Sequence, residues 1–165
     1  YQMDPDILQE VLSHYTVNNG RMEAFQMGSN DVTLNLAKNP VGANMTLRVM
    51  NEMQGEKELL FVLNDNIADG LDVSWIWDIN FSTFRNVTRV VTSGTRAYDI
   101  AVRIKCSGYD ARNIVVRPDL DEAVAELNTT QGKKFVIANY TAVQPTRSAL
   151  QRWIAHHGGA AHETN

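Results

Sequence analysis

The sequence predicts an open α/β fold in which a mostly parallel sheet carries helices on both faces. Runs of consecutive apolar residues, such as "LLFVL" (59–63) and "KFVIANY" (134–140), are typical of strands buried on both faces. Between such runs, apolar residues recur at helical spacing, as in "TRAYDIAVRIKCSG" (95–108). Strands that alternate with amphipathic helices indicate a parallel sheet, whose ligands bind outside the carboxyl ends of the strands.

The first elements are a predicted helix and a hairpin. Asp4 followed by Pro5 is a typical helix start, and apolar residues recur at helical spacing up to "VNNG" (17–20), so residues 1–20 are predicted to be a helix and a linker. Two short apolar runs follow, "MEAFQM" (22–27) and "VTLNLA" (32–37). The turn-rich residues between these runs predict an edge hairpin.

From residue 40 the alternation is regular and Rossmann-like. The segment "PVGANMTLRVMNEM" (40–53) predicts a helix whose buried face holds four residues, Met45, Val49, Met50 and Met53. In the helix of residues 95–108 the predicted inward residues are Ala97, Ile100, Ala101 and Ile104. Further strands are predicted at 88–94 and 113–116, and further helices at 120–128 and 146–155. The resulting domain spans residues 21–155, and residues 156–165 are predicted to be a flexible tail without a metal site.

Composition excludes several classes of protein. A chain of 165 residues with 44% hydrophobic residues suits one globular domain, and no apolar run is long enough for a membrane helix. A net charge of -4 without a basic, aromatic-rich patch argues against a nucleic-acid partner. Because the chain begins at Tyr1 without an initiator Met or a signal-peptide pattern, we expect a piece of a longer cytoplasmic protein.

Polar residues follow most of the predicted parallel strands. Since the carboxyl ends of parallel strands share one edge, these residues are candidates for lining a cleft there: Lys38, Asn39, Asp65, Asn66, Arg96, Asp99, Asn139 and Tyr140. Residues such as Asn39, Asp119 and Thr141 are equally explained as helix caps. No phosphate-binding glycine motif follows any strand, and no Ser or Cys nucleophile lies beside a His. Any chemistry at this edge must therefore rely on carboxylates, with help from outside the chain.

The stretch "LNDNIADGLDVSWIWD" (63–78) is the most unusual part of the sequence. Asp69 with Gly70 predicts a turn. Trp75 and Trp77 are two residues apart, so in an extended segment they share a face that is either a core patch or an anchor for a partner. Asp72 either caps the turn into the tryptophan segment or projects towards another protein. Asp69 and Asp78 are, like the tryptophans, candidates for an interface.

Several segments resemble the C-terminal domain of MurT, the ligase subunit of bacterial lipid II isoglutaminyl synthases. They run from about Asp4 to about Trp153 and are "NNGRMEAF", "LNLAKNPVGANMTL", "LNDNIADGLDVSWIWD", "VTSGTRAYDIAVRIK" and "IANYTAVQPTR". The resemblance implies a Mur-ligase-type C-terminal α/β domain. The phosphate loop and the Cys-rich zinc ribbon of the full subunits are absent, and Lys38 stands where Mur ligases carry a histidine. The resemblance also implies that the isolated domain is inactive and needs no cofactor. In the full-length subunit, ATP and Mg²⁺ are expected.

The reaction that the resemblance implies needs two subunits. The ligase subunit activates the α-carboxyl of D-glutamate in the lipid II stem peptide with ATP, and a GatD-type glutaminase subunit supplies ammonia from glutamine through a Cys-His pair. The product is D-isoglutamine. In this family an aspartate of the motif D-N-x-A-D-G-x-D is thought to complete that pair, and Asp72 matches it here. Asp65 and Asn66 are expected to brace the loop or to face the ligase active site.

Two other functions stay open at the level of sequence. One is a non-catalytic α/β module that docks or stabilises a partner protein through its acidic loop. The other is a C-terminal domain that positions the substrate of another Mur or folylpolyglutamate-type ligase. The tryptophan-rich stretch argues against this last possibility, because those relatives do not carry it.

Overall fold

The computed structural model describes residues 20–157. The predicted N-terminal helix therefore lies outside the described residues, and so does most of the predicted tail. Within the described residues, His156 and His157 continue the last helix rather than starting a tail. None of the helices among residues 20–157 is both long and apolar enough to cross a membrane.

In the described part of the chain, six strands form one sheet in the order β1-β2-β6-β3-β4-β5. Strand β1 pairs with β2 in an antiparallel hairpin at the edge, and all other pairs are parallel. The mostly parallel sheet and its edge hairpin confirm the prediction from sequence. The strands are β1 (Glu23–Met27), β2 (Asn30–Leu36), β3 (Lys57–Val62), β4 (Val87–Ser93), β5 (Ile114–Val116) and β6 (Lys133–Ala138).

Within residues 20–157, four α-helices cover both faces of the sheet, as the alternating pattern predicts. They are α1 (Pro40–Glu52), α2 (Ala97–Cys106), α3 (Leu120–Leu127) and α4 (Tyr140–His157). One core contains apolar residues of α1 and α2, and a second core on the opposite face contains those of α3 and α4. Every residue of β3 is buried, because this central strand has neighbours on both sides and helices on both faces.

A buried ion pair crosses the middle of the sheet. Glu58 of β3 and Lys134 of β6 are register partners, and Lys134 Nζ lies 3.0 Å from Glu58 Oε2. Both side chains are almost completely buried. Lys134 also donates to Thr130 Oγ1 at 2.7 Å, and that hydroxyl donates to the other oxygen of Glu58. Buried charges need such partners, because an unpaired one loses its hydration without compensation.

The predicted buried face of α1 is wrong at Met45 and Met53, whereas Val49 is half-buried and Met50 is buried. Met45 is 57% exposed and Met53 is 37% exposed, whereas the helix buries Ala43, Thr46, Leu47 and Met50. The helix carries two sets of residues at helical spacing, and the set that includes the small Ala43 faces the sheet. A small side chain brings the helix close to the strands, which favours tighter packing. In α2, by contrast, all four predicted residues are buried.

The segment after β6 is helical, although the sequence predicted a loop up to residue 145. Helix α4 begins at Tyr140 and contains Pro145 in its second turn. A proline inside a helix removes one hydrogen bond and costs about 3 kcal/mol. Ala142 and Val143 are buried against the sheet on this turn, and their packing offsets that cost. Buried packing has therefore overridden the local signal.

The tryptophan segment is also not extended. Ser74–Asp78 is a short 3-10 helix, so Trp75 and Trp77 do not share a face. Trp75 packs against the core beside buried Ile76, whereas Trp77 is 55% exposed. Trp75 therefore belongs to the core, as one of the two alternatives for this pair proposed, whereas Trp77 is available at the surface.

Candidate functional site

The carboxyl ends of β3 and β6 form the point where the chain leaves the sheet in opposite directions. After β3 the chain crosses the face covered by α1 and α2, and after β6 it enters α4 on the other face. In open α/β sheets this is the edge where ligands and functional loops gather. Three short 3-10 helices, Ile67–Asp69, Ser74–Asp78 and Phe81–Thr83, follow β3. We call residues 64–79 the acidic loop.

Asn139 ties the start of the acidic loop to the end of β6. Its side chain is almost completely buried. Its amide oxygen accepts the backbone N–H of Asn64 at 3.1 Å, and its amide nitrogen donates to the Asn64 carbonyl at 2.7 Å. Asn139 was predicted to line a cleft, but its side chain is fully used inside the protein. It fixes the loop rather than facing a ligand.

Thr141 joins three side chains of the acidic loop. Its hydroxyl donates to Asp69 Oδ2 and accepts from Asn66 Nδ2 at 2.8 Å and from Asn64 Nδ2 at 3.3 Å. Its backbone N–H donates to Asp69 Oδ1 at 2.8 Å. Both oxygens of Asp69 are therefore occupied. Asn66 braces the loop, which is one of the two roles predicted for it. The predicted turn after Asp69 is present, with a positive φ of 82° at Gly70.

The carboxylate of Asp65 is bound by two residues that follow β4, the strand next to β3. Thr95 Oγ1 donates to Asp65 Oδ1 at 2.7 Å, and Arg96 Nε lies 2.9 Å from Asp65 Oδ2. The Thr95 hydrogen bond, followed by the charge of Arg96, holds the pKa of Asp65 below its ordinary value. Arg96 also lies 3.6 Å from Asp99. These predicted cleft residues thus lie together, with one guanidinium between two carboxylates.

Asp72 is exposed and only partly occupied. Its Oδ1 accepts the backbone N–H of Ser74 at 2.8 Å, which is the capping role considered from sequence. The backbone N–H of Ser74, followed by its side chain, lowers the pKa of Asp72, so its carboxylate is ionised at neutral pH. Among residues 20–157, no residue other than Ser74 donates a hydrogen bond to Asp72. This exposed carboxylate can therefore accept a donor from another molecule.

The second half of the acidic loop is held by Arg103 of α2. Its guanidinium donates to the carbonyl oxygens of Ile76, Trp77 and Ile79, and it lies 5.4 Å from the centre of the Trp77 ring. Such cation–π contacts orient an exposed ring. The side chain of Asp78 is exposed, while its carbonyl accepts a hydrogen bond from Asn44. Trp77 and Asp78 are thus presented on the surface by a fixed backbone.

Lys38 and Asn39 lie apart from the acidic loop. They line a groove of about 400 Å³ between β2 and α1, together with Arg21. Asn39 caps α1 by accepting the backbone N–H of Gly42 at 2.9 Å, so the capping explanation is confirmed for this residue. Tyr140 is 57% exposed at the start of α4. The structure therefore does not gather all the predicted cleft residues into one site.

The described part of the chain offers few side chains that could bind a metal ion or a nucleotide. Among residues 20–157, no three His, Cys, Asp or Glu side chains are arranged to hold a metal ion. The acids at the carboxyl edge are already paired with Thr95, Arg96 and Thr141. These residues therefore do not form a site that would hold a metal ion together with a nucleotide.

Comparison with known families decides the relationship that the motifs indicated. Residues 36–143 match the family model described as the MurT ligase C-terminal domain. The chain belongs to this family. The match includes the whole acidic loop together with Asn139 and Thr141.

Two related proteins are named as MurT subunits. The MurT subunit of lipid II isoglutaminyl synthase (glutamine-hydrolysing) from Staphylococcus aureus is 37% identical over 140 residues, which is 84% of this chain and 32% of that protein. The corresponding subunit from Streptococcus pneumoniae is 34% identical over 134 residues, which is 79% of this chain and 30% of that protein. The chain thus spans about a third of the length of these relatives.

Solved structures with the same fold are ligases of the Mur and folylpolyglutamate type. MurF from Acinetobacter baumannii superposes with a TM-score of 0.67 at 14% identity, over 93% of this chain and 34% of that protein. A folylpolyglutamate synthase from Thermotoga maritima superposes with a TM-score of 0.61 at 18% identity, over 92% of this chain and 34% of that protein. These likenesses show the fold of a Mur-ligase C-terminal domain.

Sequence reasoning missed two residues that organise the site, Asn64 and Arg103, and considered the third, Thr141, only as a possible helix cap. Each acts through partners distant in sequence, since Thr141 lies 72 residues from Asp69 and Arg103 lies 27 residues from Ile76. One signal for Thr141 was present. It lies two residues after Asn139, in the first turn of the helix that follows β6 and close to the edge where functional loops gather.

Proposed function

We propose that this chain is the C-terminal domain of the ligase subunit of a glutamine-dependent amidotransferase. In this proposal the complete enzyme uses ATP to convert the α-carboxyl of D-glutamate in the lipid II stem peptide to D-isoglutamine, in the cytoplasm. Membership of the MurT family supports the assignment. The names of the two relatives, which refer to lipid II isoglutaminyl synthase, support the substrate.

The exposed carboxylate of Asp72, which no residue but the neighbouring Ser74 holds among residues 20–157, is the observation that carries the proposal for this domain. A glutaminase that works through a Cys-His pair needs a carboxylate to fix the tautomer of its histidine and to stabilise the imidazolium. Asp72 is exposed and ionised, and its only partner among residues 20–157 is the neighbouring Ser74. Asp65 and Asp69 meet this need less well, because internal partners occupy both oxygens of each. We infer that Asp72 accepts a hydrogen bond from the histidine of a partner glutaminase of the GatD type.

The rest of the ligase chemistry belongs to other parts of the full-length subunit. ATP and Mg²⁺ would be held there, because the described residues offer no metal cluster and the sequence has no phosphate loop. Two solved relatives by fold, a MurF from Thermotoga maritima and a folylpolyglutamate synthase from Mycobacterium tuberculosis, were crystallised with ADP. We expect this domain alone to be inactive and to close over the nucleotide domain in the complete subunit.

A docking module without a catalytic residue is the second candidate. Exposed apolar side chains on the acidic loop favour it, since Ile67 is 92% exposed and Leu71 is 70% exposed. Such residues commonly anchor a partner protein. In this case the acidic loop would contribute affinity, and Asp72 would contribute nothing to the chemistry once the complex is saturated.

The two candidates separate in a reconstituted complex of the full-length subunit with its glutaminase. The variant Asp72→Asn keeps the oxygen that accepts the Ser74 N–H but removes the charge, so the loop should fold as before. We expect glutamine-driven amidation of lipid II to fall at least about 100-fold at saturating partner, while amidation driven by ammonium salt stays within about 2-fold.

The matched control is Asp78→Asn, since Asp78 is exposed on the same loop. We expect it to leave both activities near the level of the unmodified complex. Equal loss of both activities in Asp72→Asn would contradict the assignment. A normal rate at saturation combined with weaker binding of the glutaminase would favour the docking module instead.

A further inference from the structure

We propose that Thr141 is a positioning residue that fixes the acidic loop, so that Asp72 meets the partner in a defined place. This inference rests on the proposed function and assigns a role to a residue outside the acidic loop. Thr141 contacts three members of the loop but does not contact Asp72 itself. Its effect must therefore pass through the backbone between Asp69 and Asp72.

The hydroxyl of Thr141 uses its whole hydrogen-bonding capacity on the loop. A threonine hydroxyl has one donor and two acceptor positions. It donates to Asp69 Oδ2, and it accepts from Asn66 Nδ2 at 2.8 Å and from Asn64 Nδ2 at 3.3 Å. A side chain without a hydroxyl would lose all three contacts at once.

The start of helix α4 adds a fourth contact. Asn139 precedes the helix and is of a type that usually caps its own helix. Its side chain is committed to the backbone of Asn64, so it cannot do so. Asp69 takes over that role by accepting the backbone N–H of Thr141 at 2.8 Å. A carboxylate is favoured there by the positive end of the helix dipole. The loop and the helix therefore stabilise each other.

Asp72 lies between two fixed points of the loop. Thr141 holds the part that ends at Asp69, and Arg103 holds the part that begins at Ile76. Between them, the bond from Ser74 to Asp72 is local. If the first fixed point is lost, the backbone of residues 70–73 can shift, and a displacement of about 1 Å is enough to cost roughly 100-fold in a catalytic arrangement.

The test compares Thr141→Val and Thr141→Ser in the full-length subunit bound to its glutaminase. Valine matches threonine in shape and keeps the backbone N–H for Asp69, whereas serine also keeps the hydroxyl. We expect Thr141→Val to lower kcat of glutamine-driven amidation at least about 10-fold at saturating glutaminase. Ammonium-driven amidation should stay within about 2-fold, and Thr141→Ser should restore the glutamine-driven rate to within about 3-fold.

A second measurement follows the loop directly. Hydrogen–deuterium exchange of peptides covering residues 64–73 should speed up in Thr141→Val and return to normal in Thr141→Ser. The matched control is Thr129→Val, which removes a threonine hydroxyl that accepts from Arg89 at 2.6 Å, away from the acidic loop. It should change neither the exchange of the loop nor the glutamine-driven rate.

Three outcomes would overturn the role of Thr141: unchanged exchange in Thr141→Val, an unchanged glutamine-driven rate, or equal loss of both activities. The last would mean that the residue only supports the fold. Failure of the proposed function would look different, since Asp72→Asn would then keep its glutamine-driven rate. If Asp72→Asn loses that rate and Thr141→Val keeps it, the proposed function stands and the positioning role falls.

Discussion

The side-chain amide of Asn139 holds the backbone of Asn64 from both sides, accepting its N–H at 3.1 Å and donating to its carbonyl at 2.7 Å. The two residues follow neighbouring strands, β6 and β3, at the edge where the chain leaves the sheet in opposite directions. An asparagine amide offers an acceptor and a donor at the spacing of a backbone peptide group. This contact therefore continues the strand pairing by one residue and fixes where the acidic loop begins.

Replacement of Asn139 by Asp should destabilise the chain. A carboxylate accepts the Asn64 N–H but cannot donate to the Asn64 carbonyl while it is ionised, and it places a charge in a buried position. We expect the free energy of unfolding to fall by about 2–4 kcal/mol, measured by urea denaturation. Asn113→Asp, at an exposed position, is the control and should change it by less than about 0.5 kcal/mol. A similar small effect for both variants would contradict this account.

Replacement of Gly94 by Ala should be costly for two separable reasons. Gly94 has a φ of +91°, and an added Cβ would lie 2.5 Å from the carbonyl oxygen of Leu63. Gly55 has a similar φ of +87° but open space around it. Gly55→Ala should therefore cost only the backbone strain of about 1–2 kcal/mol, while Gly94→Ala should cost more than about 3 kcal/mol. Equal losses in urea denaturation would rule out the steric contribution.

Removal of one partner of the buried pair Glu58–Lys134 should be among the most destabilising changes. Lys134→Met leaves the Glu58 carboxylate buried without its cation, and we expect a loss of about 3–5 kcal/mol. The double variant Glu58→Leu with Lys134→Met removes both charges and should recover at least half of that loss. Lys133→Met, at the exposed neighbouring position, is the control. The account fails if the double variant is less stable than the single variant.

The stability of the chain should depend on Tyr109 at alkaline pH. Burial, with a smaller effect from the charge of Glu58, raises the pKa of Tyr109 to about 12. An unfolded tyrosine has a pKa of about 10. Because the folded state holds the proton more tightly, this contribution to stability is complete below pH of about 10 and is lost as the pH rises to about 12. Tyr109→Phe removes that dependence, although it also loses the hydrogen bond to the carbonyl of Val87.

Urea denaturation at pH values of about 8 and about 11 checks this prediction. The difference in stability between the unmodified chain and Tyr109→Phe should shrink at the higher pH. Tyr98→Phe is the matched control, because Tyr98 is 66% exposed on α2. If the two tyrosine variants show the same pH dependence, the buried phenol is not its source.

The order of elements and the edge of the site were predictable from sequence because they depend on local patterns. Continuous apolar runs marked β3 and β6, and the polar residues after them marked the carboxyl edge. The wrong predictions share one cause, which is that packing across the molecule outweighed a local signal. Helix α4 continues through Pro145, and the tryptophan segment curls into a 3-10 helix that buries Ile76.

The internal organisation of the site could not be predicted in the same way. The sequence assigned different roles to Asp65, Asp69 and Asp72, but it could not show which partners hold them. Thr95 and Arg96 occupy Asp65, and Thr141 occupies Asp69, whereas Asp72 has only the nearby Ser74. No local pattern indicates the partners of Asp65 and Asp69, because they depend on which strands are neighbours in the sheet.

The most direct measurement of the central claim is the rate of glutamine hydrolysis by the glutaminase in the complete complex, without lipid II. This rate reports the partner's Cys-His site alone, so the ligase chemistry does not influence it. At saturating partner, we expect Asp72→Asn to lower the hydrolysis rate by about 100-fold to 10,000-fold, with Asp78→Asn unchanged. A hydrolysis rate in Asp72→Asn within about 2-fold of the unmodified complex would contradict the claim that this domain lends a carboxylate to its partner.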